Sequence, residues 1–151
     1  TEELYLTAII PPSNVQKAWY EIRTGLWRSF GLISSRSLPI CIPLSVTQEK
    51  VDSRIFPERL RQPLCSIRGE IHIEDGVFFA EAQPKGFFLE LSRAIVEEYG
   101  PPSSCETQPP LPVWPGCYIC AKEGGIDISA IRSFLKEDTH LLFRSSLLVC
   151  L

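Results

Sequence analysis

The sequence contains no methionine and only two histidines, and no part of it has a long apolar run. Because about 20 consecutive apolar residues are needed to cross a bilayer, we expect no membrane association. No charged start followed by an apolar stretch is present, so no secretory signal is predicted. With 15 Lys and Arg against 18 Asp and Glu, non-specific binding to nucleic acid is not expected either.

Common catalytic and metal-binding motifs are also absent from the sequence. It has no Gly-rich phosphate loop, no serine elbow and no paired-carboxylate spacing. Cys117 and Cys120 form a CxxC pair, but no second pair follows, and His72 and His140 are not spaced as metal ligands. A lone histidine is typical of a surface or of a satisfied core position. The sequence therefore predicts no metal site and no cofactor, with zinc binding or redox chemistry at the CxxC as alternatives.

Most of the six cysteines lie in apolar runs, such as Ile40–Ile42 and Val149–Cys150. Free cysteine in such a setting behaves as a small hydrophobic residue. A chain of 151 residues with 44% hydrophobic residues can bury a core without disulfides. We therefore expect one cytoplasmic domain, residues 1–151, with reduced thiols.

Hydrophobic periodicity predicts an alternation of strands and helices. An apolar stripe at steps of three and four predicts a helix that is capped by the side chain of Ser13 or Asn14 and runs to about Phe30, with Gly31 as its stop. Asp75-Gly76 between two alternating runs predicts a hairpin. The further predicted helices are Phe87–Tyr99 and Asp127 or Ser129 to Leu135, and the predicted strands are Leu4–Ile10, Leu38–Val46, Ser66–Ile73, Val77–Ala82, Val113–Lys122 and Leu141–Leu151.

The unit of strand, long helix and strand with a cysteine occurs twice in this order. Pro39 and Pro43 predict an edge position or a bulge for the first of those cysteine strands. We therefore predict an α+β fold of two pseudo-symmetric β-α-β-like halves on one mixed or antiparallel sheet, of ferredoxin-like character, with helices packed outside.

Two strings in corresponding positions carry a family resemblance. Leu38–Leu44 reads Leu-Pro-Ile-Cys-Ile-Pro-Leu, and Gly116–Ala121 reads Gly-Cys-Tyr-Ile-Cys-Ala after a Pro-rich loop. With the element order, they resemble the two-histidine (2H) phosphoesterase superfamily, which includes RNA 2′,3′-cyclic phosphodiesterases and 2′-5′ RNA ligases. Those proteins carry one His-x-Thr/Ser motif in each half, beside a central cleft.

The resemblance implies that the catalytic residues have been replaced here. Cys41 and Cys117 stand where the family has its histidines, and Pro43 and Ile119 stand where it has hydroxyl residues. An ordinary thiol, with a pKa of about 8.5, is a poor substitute for a general acid or base near neutral pH. Strand alternation predicts that Cys41, Pro43 and Ser45 share one face, and likewise 117, 119 and 121. Catalytic residues of the family type are therefore not predicted.

Three functions follow from this reading. The first is a non-catalytic 2H phosphoesterase-like protein that binds a nucleotide or RNA end in the central cleft. The alternative is a protein–protein interaction domain with a filled cleft, and the third is a cyclic phosphodiesterase with altered catalytic residues. Cys41 and Cys117 could also act together across the cleft as a thiol, disulfide or metal pair. An open cleft lined by arginines would favour the first and third functions, and a filled cleft would favour the second.

Further candidates for ligand contact lie outside the two strings. Arginine side chains bind phosphate through charge-assisted hydrogen bonds. Trp114, beside the second string, could stack on a base. The candidate phosphate-binding residues are Arg36, Arg54, Arg59 and Arg61.

Overall fold

The computed structural model describes residues 4–56, 64–103, 111, 113, 115–122, 125–132, 141–144 and 148–150. At residues 36, 37, 53, 68 and 69 and from 141 onward it describes the backbone alone. These residues form an α+β fold, as predicted. The strands are β1 (Tyr5–Ile9), β2 (Ile42–Thr47), β3 (Leu64–Glu74), β4 (Val77–Gln83), β5 (Gly116–Ala121), β6 (Leu141–Arg144) and β7 (Leu148–Cys150). The helices are α1 (Ser13–Phe30), α2 (Ser34–Ser37), α3 (Lys85–Tyr99) and α4 (Ile128–Arg132), with a 3₁₀ turn at Ser53–Ile55.

The strands form two antiparallel sheets, where the sequence predicted one. The first sheet has the order β2-β1-β7 and the second has the order β5-β4-β3-β6. Each half contains a strand, a long helix and an antiparallel neighbouring strand: β1-α1-β2 in the first and β4-α3-β5 in the second. The predicted last strand, Leu141–Leu151, is in fact β6 in one sheet and β7 in the other. The single predicted sheet was wrong because periodicity reports strands and not their partners.

Local chemistry accounts for the ends of several elements. Gly31 adopts a left-handed conformation, and its N–H donates a hydrogen bond to the Trp27 carbonyl oxygen. This bond caps the C-terminal end of α1. Asp75 and Gly76 both have positive φ, as a two-residue hairpin turn between β3 and β4 requires. The predicted side-chain cap at Ser13 or Asn14 was wrong. Pro12 precedes the helix instead, and no side-chain hydrogen bond caps it.

The interior has two apolar clusters that lie on opposite faces of the four-stranded sheet. The larger includes Trp19 and Leu26 of α1 and Phe88 and Ile95 of α3. The smaller, which we call the inter-sheet cluster, contains Ala8, Cys41, Val77, Phe79 and Tyr118. It joins the three-stranded sheet to the face of the four-stranded sheet that bears Phe79. Within the described part of the chain, no helix is both long and apolar enough to span a membrane.

Gly116 allows β4 and β5 to approach closely at the start of β5. A Cβ at this position would lie 2.8 Å from the Ala80 carbonyl oxygen and 3.1 Å from the Phe79 Cβ. We predict that Gly116→Ala lowers the free energy of unfolding by about 1–3 kcal/mol, because backbone atoms would have to move. Chemical denaturation measures this change.

Gly86 is the matched control, since a Cβ there meets nothing within 4 Å. It lies near the start of α3, so Gly86→Ala should raise stability by up to about 1 kcal/mol. Equal effects of the two substitutions would contradict the role given to Gly116.

Candidate functional site

Cys41 and Cys117 are far apart in the sequence, but they lie close together where the two halves join. Both side chains are fully buried and both thiols are free. The backbone of Cys41 lies near the Cys117 thiol and has a small lowering effect on its pKa. Pro43, Ser45 and Ile119, the other described members of the predicted cleft, are also buried. None of these described residues is therefore accessible to solvent.

Irregularities in both cysteine strands change which side chains share a face. In β2 the register shifts so that Thr7 pairs with Ser45 and Ala8 pairs with Pro43, which leaves Leu44 as an extra residue. Paired residues in an antiparallel sheet lie on the same face. Ser45 therefore points to the opposite face from Pro43, and the predicted grouping of 41, 43 and 45 was wrong.

The same happens in β5, where Ile119 is the extra residue. Cys120 pairs with Phe78 and Cys117 pairs with Ala80, so these two cysteines share a face. Tyr118 and Ala121 lie on the other face, opposite Phe79 and Val77. The predicted grouping of 117, 119 and 121 fails at Ala121. Alternation fails in both strands because a bulge inserts one residue into a period of two.

Aromatic side chains pack in the same cluster as Cys41. The rings of Phe79 and Tyr118 lie 4.9 Å apart between centroids, and both side chains are buried. The Trp19 indole N–H donates a hydrogen bond of 2.9 Å to the Tyr118 carbonyl oxygen, which attaches α1 to β5. Within the described part of the chain, this packing closes the inter-sheet cluster to solvent at Tyr118.

A buried arginine, Arg23, lies next to these cysteines and was not among the predicted site residues. Only 2% of Arg23 is exposed. Its Nε donates to the Ser35 carbonyl oxygen at 2.6 Å, and its Nη2 donates to the Leu38 carbonyl oxygen. The Ser35 hydroxyl donates back to the Arg23 carbonyl oxygen at 3.0 Å. Arg23 thus joins α1 to α2 and to the segment that enters β2.

The Arg23 charge has no carboxylate partner among the described residues. Burial lowers its pKa, and the nearby groups that oppose this effect are the thiols of Cys117, Cys41 and Cys120. Its Nη1 makes no hydrogen bond to any described group. The sequence did contain a signal for this position, because residue 23 follows Trp19 by four and precedes Leu26 by three, within the apolar stripe of α1.

Burial also determines the protonation of the two candidate cysteines. It raises the pKa of Cys41 to about 12, an effect that the Arg23 charge only partly opposes. Burial, together with the neighbouring Cys41, raises the pKa of Cys117 further above its usual range. Both thiols are therefore neutral at physiological pH, and neither can exchange protons as a catalytic histidine does.

Among the described residues, the predicted phosphate-binding arginines do not form a cluster. Arg54 is 88% exposed on its side chain, and it forms an ion pair of 2.6 Å with Asp52. This pairing lowers the pKa of Asp52 to about 2. Arg59, Arg61 and Trp114 lie outside the described residues, and so does the side chain of Arg36.

A cavity of about 350 Å³ opens at the end of β2, beside the end of α3. Its lining includes Glu49 and Glu98, and no Lys or Arg is among the described residues that line it. Such a lining repels phosphate groups, so this cavity does not suit a nucleotide. Its lining residues are Thr47, Gln48, Glu49, Glu98, Tyr99, Pro101 and Ser103.

A second group that the sequence did not predict lies on β3 and β4. One ligand atom each from Glu70, His72 and Glu81 lies within 4.8 Å of the other two. His72 was expected as a surface or satisfied core residue, and its Nε2 lies 3.1 Å from Glu81 Oε2. Spacing along the chain could not reveal this group, because strand pairing brings residue 81 back to residues 70 and 72.

Removing the Arg23 side chain should destabilise the junction of α1, α2 and β2. In Arg23→Ala the buried Ser35 carbonyl oxygen and the partly buried Leu38 carbonyl oxygen lose their donors, at about 1–3 kcal/mol each. We predict a decrease of about 3 kcal/mol or more in the free energy of unfolding, measured by urea denaturation. Arg28→Ala, at an exposed position of the same helix, should change stability by less than about 1 kcal/mol. An unchanged or more stable Arg23→Ala would contradict the stabilising role of this arginine.

Alkaline pH should destabilise the protein through the buried thiols. A group whose pKa is higher in the folded state than in the unfolded state contributes stability that is lost as pH rises between the two values. For Cys41 this range runs from the ordinary value of 9.0 to about 12. We predict a loss of up to about 1.4 kcal/mol per pH unit for each such thiol. The slope of unfolding free energy against pH should be shallower in Cys41→Ala and in Cys117→Ala, and equal slopes would contradict the prediction.

Comparison with known proteins gives no family for this chain. No protein-family model matches it, and no curated protein matches it. Kinship with the 2H phosphoesterases therefore stays a prediction that rests on element order and on the strings around Cys41 and Cys117.

Proposed function

We propose that this domain is a non-catalytic relative of the 2H phosphoesterases that works as a protein–protein interaction domain with a filled cleft. The observation that carries the proposal is the complete burial of Cys41 and Cys117 where they meet. An acid–base centre needs two groups that reach a substrate and titrate near neutral pH. These two thiols are inaccessible and neutral.

The surroundings of the cysteines support the same function. Arg23 is the described cation nearest to them, and its Nε and Nη2 are bound to backbone carbonyl oxygens. Phe79 and Tyr118 pack in the same apolar cluster as Cys41. A nucleotide between the halves would have to displace this packed, buried material, at the stability cost that core disruption carries.

Arg54, the predicted phosphate-binding residue whose side chain is described, and the cavity at the end of β2 also argue against nucleotide binding. Arg54 is bound to Asp52 at the surface, and the cavity at the end of β2 is lined by Glu49 and Glu98. A phosphate group would meet repulsion in that cavity. A binding function then has to use the outer surface, and a protein partner fits this condition.

The first test is enzymatic and uses 2′,3′-cyclic nucleotides as substrates. The purified chain should hydrolyse them no faster than a buffer blank. Cys41→His/Cys117→His, which restores both histidines, should remain inactive, because the two positions are closed to substrate. Turnover by the wild type that disappears in Cys41→Ala and Cys117→Ala would contradict the proposal.

The second test uses the thiols as probes of the cleft. Iodoacetamide should leave Cys41 and Cys117 unmodified in the folded protein and modify both after denaturation. Adenosine 2′- and 3′-monophosphate should change neither result. Rapid modification of Cys41 and Cys117, suppressed by a nucleotide, would favour a ligand-binding cleft instead.

The third test concerns the partner. The tagged chain, expressed in cells, should migrate on size exclusion well above the 17.0 kDa of the chain, while the purified chain should not. Migration of the cellular protein at the size of the purified chain would contradict an interaction function.

A further inference from the structure

The group formed by Glu70, His72 and Glu81 has the composition and spacing of a metal-ligand set. It offers one imidazole nitrogen and two carboxylates, and one ligand atom from each residue lies within 4.8 Å of the others. In tetrahedral zinc sites nitrogen and oxygen ligands stand about 2.0–2.2 Å from the ion. Ligand atoms at the observed separations need only small side-chain movements to reach such an ion.

The sheet itself brings the three residues together. His72 pairs with Phe79 across β3 and β4, so Glu81, two residues further along β4, is its diagonal neighbour on the same face. The register between Ile67 and Ile71 is irregular, with 68–70 on β3 opposite Glu81 alone on β4. This bulge places Glu70 beside Glu81. Bulges commonly serve to re-aim side chains at functional positions.

Glu81 is oriented by a second contact. It is only 8% exposed, and Gln83 Nε2 donates a hydrogen bond to its Oε1. Its Oε2 lies 3.1 Å from His72 Nε2. One carboxylate oxygen is thus held by an outer amide while the other is directed toward the imidazole. Metal-binding carboxylates are commonly oriented by this kind of outer contact.

We propose that Glu70, His72 and Glu81 bind one divalent cation of the zinc class. The imidazole distinguishes this class from Mg²⁺ and Ca²⁺, which prefer oxygen ligands throughout. Three protein ligands leave a fourth position of a tetrahedral ion for water. The site lies on the face of the four-stranded sheet that also carries Phe79 and Tyr118, next to the inter-sheet cluster. It is independent of the proposed interaction function.

A simple ion pair between His72 and Glu81 is the competing explanation. Such a pair needs no metal and no contribution from Glu70. A metal site requires all three residues, and it requires binding to fall when either carboxylate becomes an amide. The two explanations therefore differ in a direct titration.

The experiment titrates Co²⁺, a spectroscopic substitute for Zn²⁺, into the full chain after chelator treatment and with thiols kept reduced. We expect one equivalent to bind with visible d–d bands of nitrogen and oxygen coordination, and without the near-ultraviolet band of cobalt–thiolate bonds. Zn²⁺ should displace the cobalt, and a large excess of Mg²⁺ should not. Absence of binding, or a thiolate band, would overturn the proposal.

Single substitutions show which residues bind the Co²⁺ ion. His72→Gln, Glu70→Gln and Glu81→Gln should each weaken Co²⁺ binding by more than about tenfold, and Gln83→Leu should weaken it by about 10–100-fold. His140→Gln removes the other histidine of the chain and Glu97→Gln removes an exposed carboxylate on α3, so both should bind as wild type. Binding that survives His72→Gln, or that is lost in His140→Gln, would overturn the proposal.

Folding is checked separately, because Glu81 is buried. Circular dichroism and the urea midpoint of each variant should match those of the metal-free wild type. If Glu81→Gln unfolds, the exposed Glu70→Gln and the half-buried His72→Gln decide the result by themselves.

Discussion

Burial of the Arg23 charge is the constraint around which the first half is organised. A guanidinium withdrawn from water is stable only when its donors find acceptors. Here the Ser35 and Leu38 carbonyl oxygens accept hydrogen bonds from the guanidinium, and both belong to the segment that connects α1 to β2. The course of that segment determines where Cys41 enters the core. One side chain therefore couples the position of α1, the short helix after it and the start of the first cysteine strand.

The same burial explains why thiols suit the meeting point of the two halves. A neutral thiol is small and weakly polar, so Cys41 packs among Phe79 and Tyr118, and Cys117 packs in the larger cluster, at little desolvation cost. An imidazole in the same place would need hydrogen-bond partners for both ring nitrogens. With a cation already present at Arg23, a protonated histidine would add repulsion. The chemistry at Cys41 and Cys117 is thus that of a core.

The sequence was informative about local structure and poor at long-range placement. It predicted α1, α3 and the Asp75-Gly76 turn because caps, periodicity and turn chemistry act within a few residues. It missed the faces of Ser45 and Ala121 because a bulge leaves no reliable mark in the hydrophobic pattern. Arg23 and the group at His72 were missed for another reason. Their roles arise from partners that are distant in the chain, and a single sequence does not contain that pairing.

Pairing of β7 with β1 has a consequence for folding during synthesis. Residues 7–9 precede most of the described chain, yet they pair with residues 148–150, and the Leu64–Ile67 edge of β3 pairs with residues 141–144. Each sheet thus keeps one strand edge unpaired until nearly the whole described chain has left the ribosome. Open edges template pairing with other chains, and contacts of such high sequence separation form slowly. A chain that ends before residue 141 would leave both of these strand edges without their partners.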